Sequence, residues 1–292
     1  VLNLWYFNDI NLANQVANIA LVFILFQGGF STKREIFKTV ALPSGGLATW
    51  GVVLTAVMTF SVLWGILHWP LEKSLLLAVI ISSTDAAATF SILRRQSLSL
   101  KLRSMLEVES AANDPMAVLL TVIAVDSFAF SVQARWYVIL LTFCWKFFTA
   151  PVFGWLSGRL MLWLFNRLRL QDRGYYYVLS FGFILLIYGT AELIHASGML
   201  AVFIAGYIVG NHAFVHKQGV TNFTSALSIM SNIGMFALMG LLVFPHEWSA
   251  LWVDGIVLFL VLTFVSRPAA VWLGTIGMEI PWKHQLFMMW AG

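Results

Sequence analysis

Residues 103–126 read RSMLEVESAANDPMAVLLTVIAVD. The stretch is long enough to cross a bilayer as a helix, yet its first half carries Glu107, Glu109, Asn113 and Asp114. A charged side chain at membrane depth costs roughly 2.5–3.5 kcal/mol on insertion scales, so such residues are rare and usually functional. At about 100° per residue, with Glu109 set at zero, Asn113 falls near 40°, Ser110 near 100° and Asp114 near 140°. Thr121 returns to about 120° on the same count. One face therefore presents an acid, a hydroxyl, an amide and a second acid. Pro115 has no N–H, so the carbonyl of Ala111 loses its helical partner. A freed carbonyl beside a carboxylate and a hydroxyl suits a dehydrated monovalent cation.

The rest of the chain fits a membrane setting. Of its 292 residues, 60% are hydrophobic and 10% charged, against about 25% charged in soluble domains. Mean hydropathy is +0.85. These values predict an all-α polytopic membrane protein whose main partner is the lipid bilayer. The net charge of +4 comes from Lys and Arg in short loops, which argues orientation and excludes a nucleic-acid partner. The single cysteine, Cys144, excludes an internal disulfide and a Cys-rich metal site. No cofactor is expected, and no metal beyond a transported ion. Val1 is not an initiator methionine and the run Ile280 to Gly292 ends inside an apolar stretch. The expectation is a piece of a longer protein, incomplete at both ends.

Spans are predicted at about Leu12–Phe30, Gly45–Leu67, Leu71–Leu93, Arg103–Val125, Trp136–Gly158, Tyr175–Ile194, Gly198–Gly210 with its flanks, Phe223–Phe244 and Ala250–Leu273. A tenth begins near Pro281. The stretch 160–170, LMLWLFNRLRL, reads as a separate interfacial helix. The loops alternate in charge. Lys33, Arg34 and Lys38 follow the first span, and Arg94, Arg95, Lys101 and Arg103 the third. Arg159, Arg167, Arg169 and Arg173 follow the fifth, Lys217 the seventh and Lys283 the ninth. Thirteen of the seventeen cations thus share one side, which the positive-inside rule makes cytoplasmic.

The third span holds Ser82-Ser83-Thr84-Asp85 at its middle. Such residues compete with the helix for backbone groups and favour caps. A break is expected here, with Thr84 or Asp85 capping the next half-helix. Broken helices near the midplane are how secondary transporters build their sites. Arg267, inside the ninth span and followed by Pro268, needs a carboxylate; Glu109 and Glu107 are the candidates. Pro268 should keep the local helix irregular.

On the segments SSTDAAATFSIL (82–93) and LEVESAANDPMAVLLT (106–121), the chain resembles the NhaP type of monovalent cation:proton antiporter. ALVFILFQGGFST (20–32), TFVSRPAAVWL (263–273) and MMWAG (288–292) extend the likeness, and the early segments look closest to the potassium/proton subgroup. The resemblance implies an inverted-repeat fold of about thirteen spans with broken crossing helices. Laid on that plan, the chain starts near the third span and stops inside the twelfth. It would comprise a moving core at about 45–126 and 250–292, and a scaffold at about 12–30 and 136–244. By the same resemblance Asp114 binds the cation or the proton in turn. Ser110, Asp85 and the Thr84 backbone complete the coordination, and Glu109, Asn113 and Arg267 form a polar network beside it.

The implied function is exchange of Na⁺ or K⁺ for H⁺ by alternating access, in the cell membrane of a bacterium, by a homodimer. Electrogenic relatives commonly carry an aspartate where this chain has Asn113, so electroneutral exchange is expected.

Plainer readings stand beside these. Asp85 as only a cap remains compatible with a site role, and Glu109 with Arg267 reads first as a structural ion pair. Lys146 in the fifth span is expected to snorkel. His68, His195, His212, His216, His246 and His284 fall in or next to loops and read as interfacial. Gly28-Gly29 and Ala205-Gly206 read as packing features. An intramembrane aspartyl protease would use Asp85 and Asp114 as its dyad, but a glycine-flanked aspartate is lacking. An ion channel would need a filter-like carbonyl loop, which is not evident.

Overall fold

A computed structural model of the chain describes residues 9–35, 46–83, 109, 113, 116–118, 120–125, 136–168, 172–242, 251–276 and 281–291. The described residues are helical or in connections. Four helices are long and apolar enough to cross a membrane: Asn11–Ser31, Arg173–Leu193, Lys217–Leu241 and Trp252–Gly274. Shorter apolar helices cover Thr49–Gly65, Met116–Val125 and Gly198–Gly210. The chain divides into two compact units, one of residues 1–31 with 148–250, the other of 32–147 with 251–292.

The first unit contains α1 (Ile10–Ser31), most of α4 (Trp136–Arg167), α5 (Arg173–Leu193), α6 (Gly198–Gly210) and α7 (Lys217–Leu241). α6 is apolar all round, and Ala201, Val202, Ala205 and Val209 are fully buried, the pattern of a helix enclosed on every side. Small residues let its neighbours approach. A Cβ at Gly206 would collide with the Phe26 carbonyl on α1, and one at Gly29 with the Phe203 carbonyl on α6. One glycine of each small-residue pair read from the sequence, Gly29 and Gly206, thus sits where α1 and α6 meet, as membrane helix contacts favour, while Ala205 lies against Gly158 of α4. Phe23 stacks on Phe181 at 5.0 Å between ring centroids, joining α1 to α5.

Two expectations change in this unit. The stretch 160–170 is no separate interfacial helix as far as it is described: α4 runs unbroken through it to Arg167, with Pro151 inside the helix. At 32 residues it is about 48 Å long, more than the roughly 30 Å of hydrocarbon, so its last turns form one helix with the span and reach past it. The eighth span begins at Lys217, because polar Gln218, Thr221 and Asn222 are held in helical form, Thr221 by its hydroxyl donating to the Lys217 carbonyl at 2.8 Å.

The second unit holds α2 (Val52–Gly65), α3 (Leu71–Ile81), the helical residues of 109–125, α8 (Trp252–Val261), α9 (Arg267–Gly274) and α10 (Trp282–Ala291). Leu63, Ala78 and Leu258 join α2, α3 and α8 in one apolar cluster. The Trp69 indole N–H donates to Asp254 at 2.8 Å, tying the α2–α3 connection to the first turn of α8. A π-helical turn, Leu47–Gly51, leads into α2, and a second, Leu262–Ser266, joins α8 to α9.

His68, His195 and His216 lie in connections with φ of 54°, 55° and 58°. This left-handed region is uncommon for residues other than glycine; His68 and His195 follow the ends of α2 and α5, as C-terminal turns favour, and His216 stands at the N-cap of α7. His246 lies outside the described residues.

Candidate functional site

α3 ends at Ile81 after eleven residues, about 16 Å of helix and roughly half the hydrocarbon thickness. The polar run begins at that end. Ser82 is its C-cap, 2% exposed, and its hydroxyl donates to the Val79 carbonyl at 2.6 Å. The helix therefore stops where the sequence anticipates a break. Thr84 and Asp85 lie outside the described residues.

Arg267 follows the π-helical turn. Pro268 cannot donate to a carbonyl four residues back, and the Arg267 N–H bonds five residues back, to Leu262. The expected irregularity is thus a π-turn, a feature often found at functional sites, and it sets the direction from which Arg267 leaves the helix. Its guanidinium Nη2 donates to Glu109 Oε1 at 2.7 Å. Arg267 is 8% exposed, Glu109 1% and Asn113 1%.

Of the two candidate partners, the described one is Glu109; Glu107 lies outside the described residues, as do Ser110 and Asp114. Glu109 and Asn113 are helical and buried in the same unit, as their i, i+4 spacing requires. Thr121 meets its own helix, its hydroxyl donating to the Ala117 carbonyl at 2.7 Å.

Among the described residues the pair is not fully satisfied. Glu109 Oε2 and Arg267 Nε are buried with no hydrogen-bond partner among the described residues. The same holds for Ser266 Oγ, one residue before Arg267, and for Thr55 and Thr59 Oγ1 on α2, which packs against the π-turn and α9. Leaving a buried polar group unpaired costs about 1–3 kcal/mol, so these atoms call for partners beyond the described residues, whether protein, water or an ion. The sequence reading did not single out Thr55, Thr59 and Ser266. Their signal was hydroxyls at i, i+4 on an otherwise apolar helix and next to the membrane arginine. Among the described residues, no cluster of His, Cys, Asp or Glu suited to a bound metal is found.

A family model described as "Sodium/hydrogen exchanger, transmembrane" matches residues 2–292. The chain belongs to that family. The K⁺/H⁺ antiporter NhaP of Alkalimonas amylolytica is 37% identical over 290 residues, 98% of this chain and 50% of the relative. The K⁺/H⁺ antiporter NhaP2 of Shewanella sp. (strain ANA-3) is 34% identical over 291 residues, again 98% and 50%. The Na⁺/H⁺ antiporter NhaG of Bacillus atrophaeus is 25% identical over 283 residues, 90% and 51%. The chain spans about half the length of the curated relatives it matches. Among solved structures, the sodium proton antiporter MjNhaP1 of Methanocaldococcus jannaschii at pH 8 superposes with a TM-score of 0.84 at 21% identity, covering 96% of this chain and 71% of that one. The chain thus has the all-helical fold of that antiporter and is a multi-pass membrane protein.

Proposed function

We propose that the full-length protein exchanges a monovalent cation, Na⁺ or K⁺, for H⁺ by alternating access in the bacterial cell membrane, as a homodimer. The observation that carries the reading is the buried Glu109–Arg267 pair at 2.7 Å. Together with the burial of Asn113, it supports reading the polar side of the fourth span as the site, with Asp114 as the ionisable group that holds either ligand. Asp114 binds cation or proton; Ser110, Asp85 and the Thr84 backbone complete its coordination; Glu109, Asn113 and Arg267 keep the surroundings polar and their charge balanced. One carboxylate serving both ligands makes them compete, so exchange is obligatory. The moving core comprises about 45–126 and 250–292 and the scaffold about 12–30 and 136–244. The containment of Glu109, Asn113 and Arg267 in one compact unit supports this assignment. K⁺ is the first cation to test, since relatives at 33–37% identity are named K⁺/H⁺ antiporters.

The test is Asp114→Asn in the full-length protein, reconstituted in proteoliposomes. The change keeps shape and removes the ionisable group. Cation-dependent proton flux is expected to vanish for both K⁺ and Na⁺ while the protein stays inserted and folded. Flux retained at the unaltered rate would sink the proposal.

A further inference from the structure

α4 carries Trp155, Arg159, Trp163 and Arg167 at steps of four. This spacing drifts only about 40° per step, so the four form one stripe. Each arginine lies over the tryptophan one turn earlier: Arg159 at 5.7 Å from the Trp155 ring centroid, Arg167 at 5.7 Å from that of Trp163. Both distances fall within cation–π range. Both arginines are exposed, and neither has an acidic partner among the described residues.

Beside this stripe is a pocket of about 240 Å³, lined by Arg159, Leu162, Trp163, Asn166, His212 and Ala213. Its other wall follows the end of α6, where the last carbonyls are already engaged. The Asn211 amide donates to Tyr207 O at 2.8 Å. His212 Nδ1 is 2.7 Å from Ile208 O, and Lys217 Nζ donates to Gly210 O at 2.5 Å and His212 O at 3.0 Å. These bonds offset the negative end of the helix. A carbonyl oxygen only accepts, so His212 carries its proton on Nδ1 and its Nε2 is left for an outside partner. Among the described residues no carboxylate lines the pocket. It offers the Arg159 guanidinium and the Asn166 amide as donors against an indole and a leucine, a donor pair for a phosphate oxyanion next to an apolar group, while His212 Nε2 is left as an acceptor.

We propose that this pocket binds the phosphate headgroup of an anionic membrane lipid. Arg159 and Arg167 lie in the last turns of α4, on the cation-rich side of the chain that the positive-inside rule assigns to the cytoplasmic face. Basic pockets between helices on that face suit lipid headgroups. Trp155 and Trp163 are 46% and 56% exposed, as aromatic side chains are at the headgroup level. The volume is below the roughly 300–1,000 Å³ typical of drug-sized ligands, so it takes a headgroup with the acyl chains outside. A free phosphate has the same oxyanion chemistry but would leave the exposed indoles without a role.

The test uses the full-length protein in detergent, with phosphatidylglycerol, phosphatidylcholine or millimolar inorganic phosphate added, read by thermal unfolding and native mass spectrometry. Phosphatidylglycerol should raise the unfolding temperature and remain bound as one tightly held copy, and phosphatidylcholine should do neither. Arg159→Gln should weaken that binding about fivefold, the effect of one cation near an anionic headgroup. Asn166→Leu should weaken it too, and carries the comparison if Arg159→Gln is itself unstable. Lys73→Gln, which removes a cation from the opposite set of loops, should change nothing. Equal retention by wild type and both pocket variants overturns the proposal, as does an equal response to phosphatidylcholine. Equal stabilisation by inorganic phosphate alone assigns the pocket to a soluble anion and overturns the lipid reading.

Discussion

Arg267 and Glu109 are 158 positions apart in the chain and 2.7 Å apart in the structure. Removing two charges from water costs several kcal/mol per ion, which their attraction offsets only with good geometry. Removing one partner strands the other, so Arg267→Ala should lower stability by about 3–5 kcal/mol. Thermal unfolding in detergent reads this; an unchanged unfolding temperature would mean that the pair contributes nothing. The double change Arg267→Met with Glu109→Met should recover much of the loss, because no charge is then left unpaired. The need for an acid was legible in one residue, an arginine inside an apolar span. Which acid was not, because Glu107 and Glu109 differ by about 200° around the helix and only the fold says which side meets α9.

At the scale of elements, the tightest constraint is the meeting of α1 with α6. Gly206 is built against the Phe26 carbonyl, and backbone does not yield as a flexible side chain does. Gly206→Ala should therefore destabilise by about 1–3 kcal/mol through overpacking, measured as a drop in unfolding temperature. Gly182→Ala on α5, with no atom near its added Cβ, should be neutral or stabilising, since alanine is the better helix former. Equal losses at the two sites would refute the close-approach account. The small pairs were visible in the sequence, but not that one glycine of each sits where α1 and α6 meet. Likewise 160–170 reads as a separate interfacial helix, whereas α4 runs on to Arg167 with Pro151 inside it. The helix continues because a proline can be carried inside a long membrane helix when its freed carbonyl finds other partners.

At the scale of the whole molecule, the transport stoichiometry follows from how many groups change protonation. Asn113 cannot titrate, and an arginine does not release its proton in a protein. Glu109 is committed to Arg267. Asp114 alone is then free to alternate, so one-for-one, electroneutral exchange is expected of the full-length protein. The measurement is a proteoliposome assay with membrane potential clamped at several values by a potassium-independent method. A rate or end point that moves with voltage would show a second proton and make Asp85 the group to examine.

The sequence by itself determined the membrane class, the helical fold and the place of the polar residues along it. In lipid every backbone group must be satisfied within its own segment, so apolar runs, charge alternation and breakers carry that information locally. Ile81 as the end of α3 and the irregular turn before Pro268 were legible for the same reason. Only the tertiary structure decided the pairing of Glu109 with Arg267, the approach of Gly29 and Gly206, and the gathering of Arg159, Asn166 and His212 around one pocket. Each of these joins residues far apart in the chain. Their choice among rival partners depends on the rotation and register of whole helices, which no local window contains.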